Sequence, residues 1–295
     1  MKKCFLLSLM VLAFPVFLRA QESAALPFMA IDRNPATSAM GGAQATSALY
    51  NPAATPLTGS DVVVSFQSWA PASVKTTNFN LLGGMKLGKL GINLQAAYQA
   101  GAAYDLYDAA GTVRGSFTPS DLLVGIGAGF AFTESLSAGL NVKFAQSTLA
   151  SDYKNSAVAG DIFVMYSQGG LKATAGVASL GTPVKSGDVS YPIPMSVKAG
   201  ASYDLPFGSS AVNLAADFDY FLIGGIGLGV GAQYDWNKMV FVRAGYHLGS
   251  GKSPVPSHAS VGLGFRFAGF HIDASYLTAS PALGNTLAVG VGYAF

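Results

Sequence analysis

The last ten residues, "TLAVGVGYAF" (286–295), alternate strictly between two kinds of side chain. Leu287, Val289, Val291, Tyr293 and Phe295 fall on one face of an extended chain, and Thr286, Ala288, Gly290, Gly292 and Ala294 on the other. Successive side chains of a strand point to opposite sides, so one face is apolar and the other nearly bare. The pattern recurs. Leu122, Val124, Ile126, Phe130 and Phe132 oppose Gly125, Gly127 and Gly129; Leu136, Leu140, Val142 and Phe144 oppose Ser137, Gly139, Asn141 and Lys143. Leu214, Phe218, Tyr220 and Leu222 oppose Asn213, Asp217 and Asp219, while Val261, Leu263, Phe265 and Phe267 oppose Gly262, Gly264 and Arg266. Phe270, Ile272 and Tyr276 oppose His271, Asp273 and Ser275.

A soluble sandwich also alternates, but it buries its apolar face and covers the other with charge. Here charged residues are only 11% of the chain, against roughly 25% in an ordinary soluble domain. Mean hydropathy is +0.39. Yet after residue 20 no uncharged run approaches the ~20 apolar residues of a spanning helix. The charges that do occur mostly sit on the small-residue face. Lipid against the other face explains that, since a mid-bilayer Lys or Arg costs about 2–4 kcal/mol. The expected fold is all-β: a transmembrane antiparallel β-barrel of about fourteen strands.

Turn signals divide the runs at 88–89, 133–135, 169–170, 236–238 and 268–269. Longer links are expected near 101–119, 149–156, 181–193, 249–257 and 279–285. Short turns alternating with long loops suit a barrel with short periplasmic turns and longer outer loops.

Residues 1–20 read as a signal peptide, with Lys2 and Lys3 before an apolar run from Phe5 to Phe17 and a cut expected at Ala20-Gln21. The single cysteine, Cys4, leaves with it, so no disulfide, thiol nucleophile or thiolate metal site is expected. Removing Lys2, Lys3 and Arg19 leaves 14 basic residues against 15 acidic ones. Nothing in that balance favours nucleic acid.

No catalytic constellation emerges, and no enzyme, cofactor or metal is expected. His247, His258 and His271 show no metal spacing, and no G-x-S-x-G elbow occurs. Asp217 and Asp219 read as lumen-facing polar residues rather than a reactive pair. The Gly-x-Gly runs at 125–129 and 225–231 precede no helix, so they vacate volume on one strand face instead of cradling phosphate. A fourteen-stranded barrel is wider than the eight-stranded size that side chains fill. Water, a ligand or the chain itself must occupy the space.

The strand-poor stretch "RNPATSAMGGAQATSALYNPAAT" (33–55) is the expected filler. It holds two short helix-compatible pieces. One starts near Pro35 and stops at Gly41-Gly42; the other, about 44–50, stops before Pro52. Neither is long enough to stand alone in water. The expected organisation is a leader over 1–20, a partly helical hatch over 21–59 and a barrel over 60–295.

"SAMGGA" (38–43) followed by "SALYNPA" (47–53) resembles the N-terminal signature of the PorV/PorQ family of Bacteroidota outer-membrane proteins, part of the wider FadL-like barrel superfamily. Met40, Gly41 and Gly42 match its upstream part, and Asn51, Pro52 and Ala53 its Asn-Pro-Ala motif. Tyr50 and Ala54 stand where the family usually has Trp and Gly. The terminal "GYAF" resembles the aromatic-ending signal read by the barrel assembly machinery, with Tyr293 and Phe295 as its aromatics. The resemblance implies an outer-membrane location and a role near type IX protein secretion, binding protein partners or cargo of an attachment complex. Tyr104, Tyr107, Phe117 and Tyr191 in the two long loops are then the expected contacts. The FadL branch implies instead passive uptake of small hydrophobic molecules, with Lys143, Asp161, Lys198, Asp217, Asp219, Arg243, Arg266, His271 and Asp273 as the polar lining of the lumen.

Overall fold

A computed structural model of the chain describes residues 24–70, 76–151, 153–186, 189–278 and 285–295. The expected leader lies outside them. The strands, in order, are β1 (Asp61–Ala70), β2 (Thr76–Leu87), β3 (Leu90–Ala100), β4 (Tyr104–Tyr107), β5 (Val113–Phe117), β6 (Ser120–Ala131), β7 (Leu136–Ala150), β8 (Tyr153–Gln168) and β9 (Leu171–Gly181). They continue with β10 (Val184–Ser186), β11 (Val189–Tyr191), β12 (Ser196–Phe207), β13 (Ser210–Phe221), β14 (Gly225–Trp236), β15 (Val240–Gly251), β16 (His258–Phe267), β17 (Phe270–Leu277) and β18 (Asn285–Ala294). Fourteen of these close into one antiparallel barrel, in which β1 pairs with β18. The remaining four form two separate hairpins, β4–β5 and β10–β11.

Short turns gather at one end of the barrel, together with the start of β1 and the end of β18. This is the turn end. Its hairpins take left-handed backbone where twist demands it, at Gly169 and Gly170, Asn237 and Lys238, and Ala268 and Gly269. The longer links and both extra hairpins gather at the opposite, loop end.

The faces divide as the alternation requires. Ile126, Leu140 and Leu263 are each more than 60% exposed on the outside, and every large apolar residue of β18 from Leu287 to Tyr293 points the same way. An apolar belt of this extent around a closed barrel belongs in lipid. Inside, residues 24–60 run through the lumen with three short helical turns, at Pro27–Ala30, α1 (Pro35–Ser38) and α2 (Thr55–Thr58).

The bare inner face is where that segment lies. A Cβ built on Gly231 would stand 2.5 Å from the Met40 Cβ, and one on Gly229 2.5 Å from the Gly41 carbonyl oxygen. On Gly245 it would strike the Gly41 nitrogen. Across the lumen, Gly129 admits the Pro52 carbonyl, and Gly139 would bring a Cβ to 2.5 Å from the Ala53 nitrogen. The glycine-lined grooves are therefore filled by backbone of the same chain.

Four expectations on elements need correction. The links 101–119 and 181–193 are not simple loops, since each folds part of its length into a hairpin. The link at 149–156 is largely strand: β7 and β8 carry on to an Ala150–Tyr153 pair past a bulge after Thr148. Residues 44–50 form successive turns rather than a helix, and α2 follows Pro52 instead of ending before it. The reason for the last is competition. The Gln44 and Ala45 N–H groups donate to Asp217 (2.7 and 2.6 Å), and the Ala45 carbonyl accepts from Asn51. A helix would give the Ala45 carbonyl to the Leu49 N–H, but Asn51 takes that carbonyl and Leu49 donates to the Ser47 hydroxyl instead.

Gly129→Ala and Gly245→Ala should each loosen the segment by about 1–3 kcal/mol, because backbone cannot yield as a side-chain tip can. Gly115→Ala, where no atom lies within 4 Å of the added carbon, should change nothing. Limited proteolysis between residues 33 and 55 reads out the difference.

Candidate functional site

The N-terminal segment enters at the loop end. The Ala25 N–H donates to the Pro192 carbonyl beside β11 at 2.8 Å. Leu26, Phe28 and Met29 then pack with Val184 and Ile193 of the loop-end hairpin region and with Ala97, Leu123, Ala145 and Ala157 of the wall. Beyond them the chain descends. The Ser65 hydroxyl donates to the Arg33 carbonyl (2.6 Å) and Gln67 to the Asp32 carbonyl (2.9 Å), both from β1.

The Asp32 carboxylate collects three donors at one oxygen: the Tyr50 hydroxyl (2.7 Å), the Thr37 hydroxyl (2.9 Å) and the Asn34 N–H (3.1 Å). Burial pushes Asp32 above its ordinary value, against the pull of those donors. Burial and the neighbouring carboxylate push the Tyr50 phenol well above its own. Tyr50 therefore stays a donor, and it also accepts the Arg33 N–H at 2.8 Å.

The two motif stretches occupy opposite walls. Met40 to Ala43 lie against β14, β15 and β16, where the Gly41 N–H donates to Ser260 (3.0 Å) and its carbonyl faces His247 Nδ1 (3.2 Å). Asn51 is 1% exposed. Its amide donates to the Ala45 carbonyl (2.8 Å) and to Thr174 on β9 (3.0 Å), and it accepts the Ala53 N–H (2.9 Å). Such a side-chain turn fixes the chain where a proline removes a donor. Pro52 and Ala53 sit on β6 and β7, with Ser137 donating to the Ala53 carbonyl at 2.5 Å.

Of the nine expected lumen residues, all face inward, and eight fall into three groups. Lys143 pairs with Asp161 at 2.7 Å, and Lys198 with Asp219 at 2.9 Å beside Asp217. Near the turn end, His271 stands between Asp61 (2.9 Å) and Asp273 (2.8 Å), and Asp273 also takes Arg243 at 2.6 Å. That last chain ties β1 to β17 and β15 across the closure. Arg266 lies apart, exposed at the turn end, its guanidinium 5.3 Å from the Phe241 ring centre. Tyr104, Tyr107 and Phe117 lie on the β4–β5 hairpin, where Tyr107 is 64% exposed and Phe117 packs on Tyr104. Tyr191 is partly buried on the other hairpin. Tyr293 and Phe295 stack outward at the turn end, 6.0 Å apart.

Between the segment and the loop end lies a cavity of about 160 Å³. Its walls include Met29, Ile31, Phe163, Phe221, Val255 and Leu277, with Asp32, Arg33, Gln67 and both ion pairs among the polar groups. Sequence reasoning passed over Asp32, Arg33 and Gln67. The signal was there: Arg33 is the one cation between residues 20 and 74, set in an otherwise apolar stretch. Among the described residues no three His, Cys, Asp or Glu side chains gather as a metal site.

The chain matches no protein-family model and no curated protein sequence. Among solved structures it is similar to the Pseudomonas putida toluene transporter TodX, with a TM-score of 0.59 and 13% identity over 90% of this chain and 98% of that one. It is similar also to the CymD monoaromatic hydrocarbon channel (TM-score 0.58, 13% identity, 90% and 98% covered). A Pseudomonas aeruginosa FadL homologue follows at a TM-score of 0.52 and 10% identity, with 90% and 99% covered. At such identities the likeness is one of fold. The fold is a closed fourteen-stranded antiparallel barrel that matches outer-membrane barrels of the FadL type.

Asn51→Ala should leave the Ala45 carbonyl and the Ala53 N–H enclosed without partners, at about 1–3 kcal/mol each. Protease cleavage within 33–55 should rise before the barrel unfolds, and more so in the Asn51→Ala, Pro52→Ala double variant. Unchanged cleavage would contradict the anchoring role.

Proposed function

We propose that the protein is a passive outer-membrane channel for small, largely apolar solutes, with residues 24–60 as its hatch, and that it catalyses no reaction. The observation that carries this is the cavity. It has aromatic and aliphatic side chains in its wall, and its lining combines hatch and loop-end residues with none of the turn-end cluster of Asp61, Arg243, His271 and Asp273. Its volume compares with the ~150 Å³ that accommodates benzene in an engineered protein cavity. The likeness in fold to hydrocarbon channels supports the same reading. Short turns then face the periplasm and long loops the outside. The hatch is held to the wall by hydrogen bonds and close packing, so passage requires that it shift. Toluene flux into proteoliposomes is the test. The intact protein should pass toluene, and deletion of 33–55 should raise the rate, with barrel integrity checked by heat-modifiable gel mobility. No flux in either form would overturn the reading.

The β4–β5 hairpin favours a second reading, the secretion-linked role that the PorV/PorQ resemblance implies. It presents Tyr104, Leu106, Tyr107 and Val113 to solvent beyond the barrel rim. Affinity purification from the native membrane should then recover secretion or attachment proteins, and Tyr107→Ala should weaken that recovery. The barrel recovered alone, with surface display intact in a deletion strain, would exclude this role.

A further inference from the structure

Buried cations in this lumen come with carboxylates: Lys143 with Asp161, Lys198 with Asp219 and Arg243 with Asp273. Arg33 does not. It is 6% exposed, and among the described residues no carboxylate lies within ion-pair distance of it. Asp32, its neighbour in the chain, is turned to other donors, the Tyr50 and Thr37 hydroxyls and the Asn34 N–H. An enclosed charge left unpaired is costly. A partner from outside the chain would remove that cost.

The guanidinium has hydrogens to spare. Nη2 donates to the Phe28 carbonyl at 2.5 Å. Nε and Nη1 have no hydrogen-bond partner among the described residues. They are not sealed in packing as the unpartnered atoms of Gln67 and His247 are, and Arg33 borders the cavity. Whichever Nη2 hydrogen Phe28 takes, one two-hydrogen edge of the planar group is left, the fork that matches a carboxylate.

The carboxylates of the two ion pairs on the same lining are already engaged. Asp161 accepts from Lys143, Asn141 and the Ser179 N–H, and Asp219 from Lys198 and Ser196. A cation entering here finds acceptors that are taken; an anion finds donors that are not. Met29, Ile31, Phe163 and Phe221 border the same space and give an apolar body its seat. The volume of about 160 Å³ compares with the ~150 Å³ that holds one benzene ring.

We propose that this cavity binds a small carboxylate with an apolar body the size of a single ring, of the benzoate class, its oxygens on Arg33. The proposal rests on the channel reading for how the solute arrives. A hydrogen bond between two charged groups is stronger than one to a neutral carbonyl, so the site should separate the carboxylate from the amide of the same shape.

The test is equilibrium binding to the purified protein in detergent at neutral pH, corrected for partition into empty micelles. The probes are benzoate, benzamide, benzylamine and biphenyl-4-carboxylate. Benzoate should bind at least about tenfold more tightly than each of the other three. Arg33→Met should bring benzoate to within about threefold of benzamide. So should Arg33→Gln, which keeps an N–H for the Phe28 carbonyl but no charge. Heat-modifiable mobility shows which variants fold, and the four-probe comparison on the unaltered protein stands whether or not either does. Benzamide or benzylamine binding as tightly as benzoate would overturn the anionic head. Equal binding of biphenyl-4-carboxylate would overturn the single-ring body. A preference for benzoate that survives in a folded Arg33→Gln variant would overturn Arg33 as its seat. No binding of any probe while toluene flux persists would count against this proposal but not against the channel. Benzoate binding without toluene flux would overturn the channel and leave the site standing. Loss of both would overturn both.

Discussion

A fourteen-stranded barrel encloses more space than its inward side chains can fill, and backbone-to-backbone contact between the wall and the first part of the chain resolves this here. Gly129 and Gly139 on one side, and Gly229, Gly231 and Gly245 on the other, remove the carbons that would hold the segment off. Contact at that range lets the wall satisfy the segment's polar groups directly. Asp217, Ser260, Ser137 and Thr174 do so from four different strands. A segment with only short helical turns, which leaves many backbone groups outside any regular ladder, can stay enclosed for this reason.

The inward charges follow from the same enclosure. Lipid excludes them from the outer face, and the lumen accepts them only with partners. Lys143, Lys198 and Arg243 each have a carboxylate within 3 Å. His271 bridges two, and in doing so links the first strand to the last strands near their point of closure. Arg33 departs from this rule. Lys143 and Lys198 border the cavity with it, each beside a carboxylate, whereas among the described residues none lies within ion-pair distance of Arg33.

Much of the fold was legible because a membrane strand writes its two environments into alternate positions. Leu287 to Phe295 against Thr286 to Ala294 needed no more than a period of two. The turns were legible through Gly88, Gly169-Gly170 and Asn237-Lys238. What the alternation could not show was pairing beyond the barrel. The hairpins β4–β5 and β10–β11 lie in stretches rich in Gly, Asp and Ser, where local composition reads as loop. The conformation of residues 44–50 was illegible for a different reason: Asn51, which takes the Ala45 carbonyl, is itself held by Thr174, 123 residues away in sequence. The same holds for the cavity. Asp32, Gln67 and His247 come from three distant parts of the chain, and only closure of the barrel brings them to one space.

The bond from Ala25 to Pro192 has a consequence for how the molecule is put together. The segment meets the lumen at its loop end and leaves it at the turn end, just before β1 begins. It thus traverses most of the barrel's height and is continuous with the wall. In a barrel already closed, the segment could take this place only by passing lengthwise along the lumen. Folding the wall around it avoids that step. Placing the segment before β1 joins β18 would let the glycine grooves of β6, β7, β14 and β15 receive it from an open side.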